Sequence, residues 1–456
     1  MSAITFVVVM IVSGFNQVTD PFVRHDDFSA LLLRPQDYYL KTLSEGRWIN
    51  YWWHFRSFET AAWINYAVYI AGWATFCAGV ALHTLDSRVL FYPVFLAILI
   101  AVAPQATLIS LWFNTLIPGV WILAAYAILT LFATPRLGIL LLLIFVPLSV
   151  MTYSTYPLLL LCICLLRKDN AKSFAGLIVT LVVFAISFAL GLTLINTLNY
   201  FDHGVFGIEI SNWRNPSRAE DLQGIIQNLP KVWRFLGRTA TTMGYGSLHI
   251  GYVNMALLAV SFILLAHRSI REALFWASAL LAGFGLLILH ILLEGAGVPF
   301  RATLFFWLLF AVSVAKVSHS QLSKSELAAS VGRICLLTLT FTSAYLANLY
   351  YGTLTEWQRS TREIASGITA EQSTVYVYGG YIAASGGLEA RIQHPRGLRH
   401  RLAKLTSAEF ILCEEQPEKC QGISPPFDPR PTYGPILVSY DGNIAYVRLP
   451  EVEFGP

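Results

Sequence analysis

Uncharged apolar runs separated by short polar turns fill the first three quarters of the chain. A helix needs about 20 such residues to cross roughly 30 Å of hydrocarbon, fewer where neighbouring helices shorten the span. Runs lie near 4–19, 61–83, 90–104, 117–133, 137–151, 157–166, 173–195, 249–266, 273–293, 301–315 and 334–350. They predict a mainly α, polytopic membrane protein with about eleven transmembrane helices. Their lack of charge follows from cost, because an Asp, Lys or Arg at a helix centre costs about 2.5–3.5 kcal/mol on insertion scales. Between 137 and 166 only Tyr153, Ser154, Tyr156 and Pro157 interrupt the apolar pattern, so the count hinges on that break. The first run has no basic leader and no small-residue cleavage site, which predicts a retained helix.

Beyond about 351 the pattern changes to polar, with Gly, Pro and charges spread through it. Thr374–Tyr378 alternates like a strand, and 436–439 and 444–449 flank Tyr440, Asp441, Gly442 and Asn443, a hairpin signal. The stretch 398–405 reads as a short basic helix. The chain therefore divides into a transmembrane domain over 1–350 and a small α/β domain over 351–456. Lys and Arg in short loops set orientation. With the N-terminus inside, the inner turns hold Arg88, Arg136, Arg167, Lys168, Lys172, His267, Arg268, Arg271, Lys316, Lys324 and Arg333. The short turns at 153–157 and 294–300 hold none. An odd helix count then places the segments 20–60 and 196–248, and the tail, outside.

Composition agrees with this reading. Hydrophobic residues make up 55% and charged residues 13%, against roughly 25% charged in an ordinary soluble domain. A water-soluble globule and a disordered chain are both excluded. The balance of 31 Lys+Arg against 27 Asp+Glu, a net +4, gives no argument for nucleic acid as a partner. Cys77, Cys162, Cys164 and Cys335 sit in apolar runs, as small hydrophobes do. Cys413 and Cys420 lie in the tail, where an oxidising space allows a disulfide and the alternative is two free thiols.

Candidate chemistry concentrates in the polar segments. The first outer segment carries Asp20, Arg24, His25, Asp26 and Asp27, then Arg34 and Asp37, then Glu45, Gly46, Arg47 and Trp48, then Trp52, Trp53, His54 and Arg56. Adjacent carboxylates beside an apolar phase repel each other, which makes one of them the better proton acceptor. The plainer alternative is a hydrated juxtamembrane loop. The aromatic stretch 48–58 predicts amphipathic helices lying along the membrane surface. The second outer segment holds Trp213, Arg214, Arg218, Lys231, Trp233, Arg234 and Arg238, residues that can grip a sugar or a phosphate and that also occur in solvated loops. Arg301 opens an apolar run, where a cation is a functional candidate unless it snorkels to the head groups. His290 reads as a satisfied interior histidine. No phosphate-binding glycine loop, zinc-protease motif or nucleophile elbow stands in a fitting context.

Asp26 and Asp27 in the first outer segment, Gly46, Arg47 and Trp48 after them, and Pro299, Phe300 and Arg301 opening a late helix carry a resemblance. The chain resembles the C-type membrane glycosyltransferases, and within them the Gtr-type O-antigen glucosyltransferases of bacteria. The family often has an Arg about three residues after the acidic pair; Ala30 stands there, and Arg34 is the next candidate.

The resemblance implies an inverting glycosyltransferase in the cytoplasmic (inner) membrane, with its active site facing the periplasm. It would move a sugar, glucose by the family's habit, from an undecaprenyl-phosphate-linked donor to a lipid-linked O-antigen or another surface glycan. Asp26 and Asp27 would be catalytic, and Arg301, Arg47 and Arg34 would bind the donor phosphate. His25, Trp48, His54, Trp213 and Arg214 would contact acceptor and sugar. Its partners would be membrane lipid, the donor and the glycan acceptor. No organic cofactor is called for, and a divalent metal is left open. The alternatives are an O-antigen polymerase or ligase, which relies on arginines in outer loops, and a lipid-linked sugar transporter or flippase. The latter calls for ionisable residues inside several spans.

Overall fold

A break near the N-terminus decides how the chain is divided. The first helix, Ser2–Thr19, is interrupted at Gly14, whose φ of 78° and ψ of 161° are non-helical. Glycine takes such a φ without a Cβ penalty. The computed structural model describes residues 1–85, 89–168, 173–320, 325–384, 386–406, 408–430 and 435–450. Arg88, Lys172 and Lys324, used above for orientation, lie outside them. Two compact units result, one of Met1–Val12 with Leu33–Ala347, the other of Ser13–Leu32 with Asn348–Pro456. The apolar pattern alone put Ser13–Leu32 with the membrane part. Its polar residues bond to the tail instead, and those bonds are described below.

Among the described residues, eight helices are long and apolar enough to cross a membrane. They are Ser2–Thr19, Ala62–Thr84, Pro104–Phe132, Phe174–His203, Leu248–Arg268, Ile270–Glu294, Phe300–His319 and Glu326–Ser366. Three shorter apolar helices, Phe91–Ala101, Pro135–Val150 and Tyr156–Leu166, account for the other runs. The expected count of about eleven spans thus becomes eight long helices and three short ones. By length and composition this is a multi-pass membrane protein. Starts and stops follow local chemistry. Thr134, Ser173, Ser247 and Ser269 each accept a first-turn N–H, and Gly204 and Gly295 end helices in the left-handed conformation.

In the membrane-spanning unit, Phe174–His203 exposes Phe174, Ile178, Val182, Ile186, Leu190 and Leu194 at four-residue spacing, an apolar face that suits lipid and not water. The segment from Leu304 to Val312 is buried throughout. Ala62–Thr84 and Phe113–Phe132 approach closely, since a Cβ on Gly79 would meet the Ala127 Cβ at 2.7 Å. Small residues permit such contact between membrane helices. Cations cap helix C-termini: Arg167 donates to the Ala133 carbonyl at 2.8 Å and Lys316 to that of Leu166 at 3.3 Å.

The tail unit holds a four-stranded sheet of β1 (Thr374–Tyr378), β2 (Glu409–Leu412), β3 (Leu437–Asp441) and β4 (Ile444–Arg448), in the order β2-β1-β4-β3. β1 is parallel to both neighbours, while β3 and β4 form the expected hairpin, with Gly442 at a φ of 58° in its turn. The helices Thr355–Ser366 and Pro395–Thr406 pack together, the second being the expected basic helix. Cys413 and Cys420 are disulfide-bonded.

Candidate functional site

Three arginines from distant parts of the membrane-spanning unit meet around one tyrosine and one glutamate. Arg301 lies in the one-turn 3-10 helix Phe300–Thr303, where its Nε donates to the Tyr153 hydroxyl at 2.9 Å and its guanidinium stands 4.5 Å from the Trp112 ring centroid. Arg47 covers the face of the same Tyr153 at 5.1 Å and pairs with Glu45 at 2.6 Å. Arg214 ends another 3-10 turn, Asn212–Arg214, and reaches the second Glu45 oxygen at 3.6 Å. Burial lowers the Arg214 pKa from its ordinary value; Glu45 opposes this, and Arg47 and Arg301 add to it. Among the contacts described, three guanidinium groups gather with one carboxylate in a partly desolvated place. Such a cluster favours an anion with several oxygens, because each guanidinium presents a fixed fork.

The sequence folds locally to hold these groups. Gly46, at a φ of 69°, ends the helix Leu40–Glu45 and turns the chain so that Glu45 and Arg47 meet. The helix Trp48–Trp53 is then fixed by Asn50, which donates to the Thr152 carbonyl at 2.8 Å, and by Trp53, which donates to that of Asn114 at 3.0 Å. Arg214 is held by the loop before Arg301: the Gly297 N–H donates to its carbonyl at 3.2 Å, and Lys231 bonds the Gly295 carbonyl.

His54 is 1% exposed, with Nδ1 2.6 Å from the Asn50 carbonyl and its ring against Tyr38 at 4.5 Å. Burial pulls its pKa from 6.5 down to about 4, so the ring stays neutral near pH 7. Between these values the unfolded chain binds a proton that the native protein refuses, so stability falls as pH drops through that window, by about 3 kcal/mol in all. Thermal midpoints in detergent should decline from pH 6.5 to 4 in the wild type and decline less in His54→Phe. Equal slopes would show that His54 is not the group responsible.

The acidic pair lies in the tail unit. Asp27 is wholly buried at 0% exposure, whereas Asp26 is half-buried. The turn bearing them is closed by the Asp27 N–H on the Arg24 carbonyl at 2.9 Å and the Ser29 hydroxyl on the Asp26 carbonyl at 3.1 Å. His25 stacks on His394 at 5.6 Å. Among the described residues, no group of three or more His, Cys, Asp or Glu is placed to hold a metal ion.

Of the residues singled out from sequence, the structure thus joins Arg47, Arg214 and Arg301. Arg34 is exposed at the start of the turn Pro35–Tyr38 and takes part in none of the contacts described. Trp48 is buried, its indole N–H on Asn199 at 2.9 Å, and Trp213 is 62% exposed beneath Arg214. Sequence reading gave no site role to Tyr153, Trp112 or Glu45. Tyr153 had a signal, since it stands in the one polar break of the 137–166 run; Glu45 sits two residues from Arg47; Trp112 had none. No model of a known protein family matches the chain, and no curated protein matches it.

Proposed function

We propose that the protein transfers a sugar from a polyprenyl phosphate to a lipid-linked or surface glycan at the outer face of the cytoplasmic membrane. The observation that carries this reading is the convergence of Arg47, Arg214 and Arg301 on Tyr153 and Glu45. The donor phosphate is the leaving group, so the protein's task is to receive the negative charge that develops as the anomeric C–O bond breaks. The acceptor hydroxyl forms the new bond from the opposite face, inverting the carbon, and its proton passes to a carboxylate. Asp26 is the base in this proposal, because it is partly exposed whereas Asp27 is enclosed. Purified protein should release polyprenyl phosphate from a labelled polyprenyl-phospho-sugar only when acceptor is present. Absence of turnover with every such donor, by folded protein, would sink the reading.

Topology supports an outward-facing acidic segment. Asp20 bonds Arg401 within the tail unit, so segment 20–32 and the tail share one side of the membrane. The chain must therefore cross an even number of times between them. The long helices alone supply seven crossings after the first helix, from Ala62–Thr84 to Glu326–Ser366. In this proposal Phe91–Ala101 also crosses and makes the number even, while Pro135–Val150 with Tyr156–Leu166 would add a returning pair whose ends Arg167 ties to Ala133. The Cys413–Cys420 disulfide favours the oxidising side. Reporter fusions after Thr60 and after Tyr351 should both be active outside the cytoplasm; activity of either on the cytoplasmic side would overturn the arrangement.

Arg214 also favours a second reading, a glycan polymerase or ligase, because it brings the long second segment into the cluster. A diphosphate-linked glycan donor consumed in place of a monophosphate-linked sugar would select it.

A further inference from the structure

We infer that Arg401 is a positioning residue, through which the tail holds the acidic segment in its working geometry. The inference rests on the proposed role of the acidic pair but goes beyond it, since neither the resemblance nor the cationic cluster gives the tail a task. Both terminal nitrogens of Arg401 bond the two Asp20 carboxylate oxygens, fork to fork, with the Arg401 side chain 7% exposed. An exposed ion pair is worth little, but this one is bidentate, mostly enclosed and extended on both sides. Arg401 Nε donates to the Thr361 hydroxyl at 3.3 Å, and Arg362 adds a second cation 3.4 Å from Asp20. Gln358 donates to the Asp20 carbonyl at 2.6 Å.

The hold continues along the segment towards the carboxylates. The Phe22 ring meets Trp357 edge-on at 5.1 Å. Arg24 donates to the Arg391 carbonyl at 2.7 Å, and Phe28 packs edge-on against His400 at 5.6 Å. Asp26 and Asp27 therefore sit between tethers at Arg24 and Phe28. The helix Pro395–Thr406, which carries both His400 and Arg401, is itself seated by Glu415, 3.2 Å from Arg399 and 3.7 Å from Arg396. Glu415 stands in the short loop closed by the Cys413–Cys420 disulfide. The sheet-bearing tail thus fixes a base that is borne on a short loop, and such fixing is worth rate because a misplacement of about 1 Å can cost 10²-fold.

The test uses the full-length protein in detergent with a labelled polyprenyl-phospho-sugar donor. Arg401→Gln should lower kcat by about 10–100-fold with donor KM unchanged, and amide exchange over 20–32 should accelerate. Arg401→Lys, which keeps the charge, should recover part of kcat. Asp20→Asn also removes the Arg362 pair, so the Asp20→Asn/Arg401→Gln double variant should lose no more than Asp20→Asn alone, because the Arg401 contact is already gone in that variant. Unchanged kcat, unchanged exchange over 20–32, or kcat lost only together with the thermal midpoint and without recovery by Lys, would each overturn the positioning role. If Asp26→Asn and Asp27→Asn both remain fully active, the sugar-transfer reading fails on its own account, and the exchange arm still reports whether Arg401 holds the segment.

Discussion

Asp26→Asn is expected to lower sugar transfer by about 10²–10⁴-fold, the usual contribution of a positioned general base, with an unchanged melting temperature. Asn keeps the shape of the side chain and removes its ability to take a proton. Asp26 is only half-buried, so the fold loses little. Asp27→Asn should behave differently. Its carboxylate is fully enclosed, and an enclosed ionised group is kept only with compensating bonds. Weakening those bonds should cost about 1–3 kcal/mol of stability, visible as a lower midpoint before any rate is measured. Transfer assays and thermal melts on both variants separate the two roles. Full transfer by well-folded Asp26→Asn and Asp27→Asn would reduce the pair to an ordinary loop and remove the base from the mechanism.

Arg301→Gln is expected to cut kcat/KM for the donor by about 10–150-fold, equivalent to the roughly 1.5–3 kcal/mol of a hydrogen bond to a charged group. Lys at this position keeps the charge but has a single ammonium where the guanidinium offers a planar fork. It cannot reproduce both the bond to Tyr153 and the stacking over Trp112, so Arg301→Lys should fall between wild type and Gln. Tyr153→Phe makes the sharper comparison. It removes the hydroxyl that receives Arg301 Nε yet keeps the ring face under Arg47, so the loss should be smaller than for Arg301→Gln. Binding of polyprenyl phosphate followed against salt would check that the loss is electrostatic, because partly exposed charge contacts weaken with ionic strength. Equal donor use by all three variants would show that the cluster serves the fold alone.

What could be read from sequence was what is local. The β3–β4 hairpin was legible because Gly442 and its neighbours specify a turn between alternating strands, and the long spans because twenty apolar residues in lipid have few other conformations. Arg301 stood out because it opens an apolar run, and Arg47 because it stands in the Gly46, Arg47 and Trp48 stretch that carries the resemblance. Arg214 was legible as a cation that could contact a sugar, but not as a partner of Glu45, since that approach depends on Gly297 and Lys231 holding it across about eighty residues of intervening helix. The assignment of Ser13–Leu32 to the tail was illegible for the same reason: Asp20 and Arg401 are 381 residues apart, and nothing next to Asp20 names its partner. The break at Gly14 was present in the sequence as a glycine within an apolar run, a pattern that membrane helices also tolerate unbroken.

The same 381-residue separation bears on how the protein is made. At a synthesis rate of about 5–20 residues per second, Asp20 leaves the ribosome some 20–75 s before Arg401 exists. For that interval segment 13–32 has emerged without the helix that will clasp it, while helix after helix is inserted behind it. Closing the tail unit therefore follows synthesis of the helices between its two parts, and a chain stopped short of Arg401 would carry its carboxylates on an untethered loop. If the acidic segment supplies the base as proposed, products truncated before Arg401 should transfer sugar more slowly than the full chain.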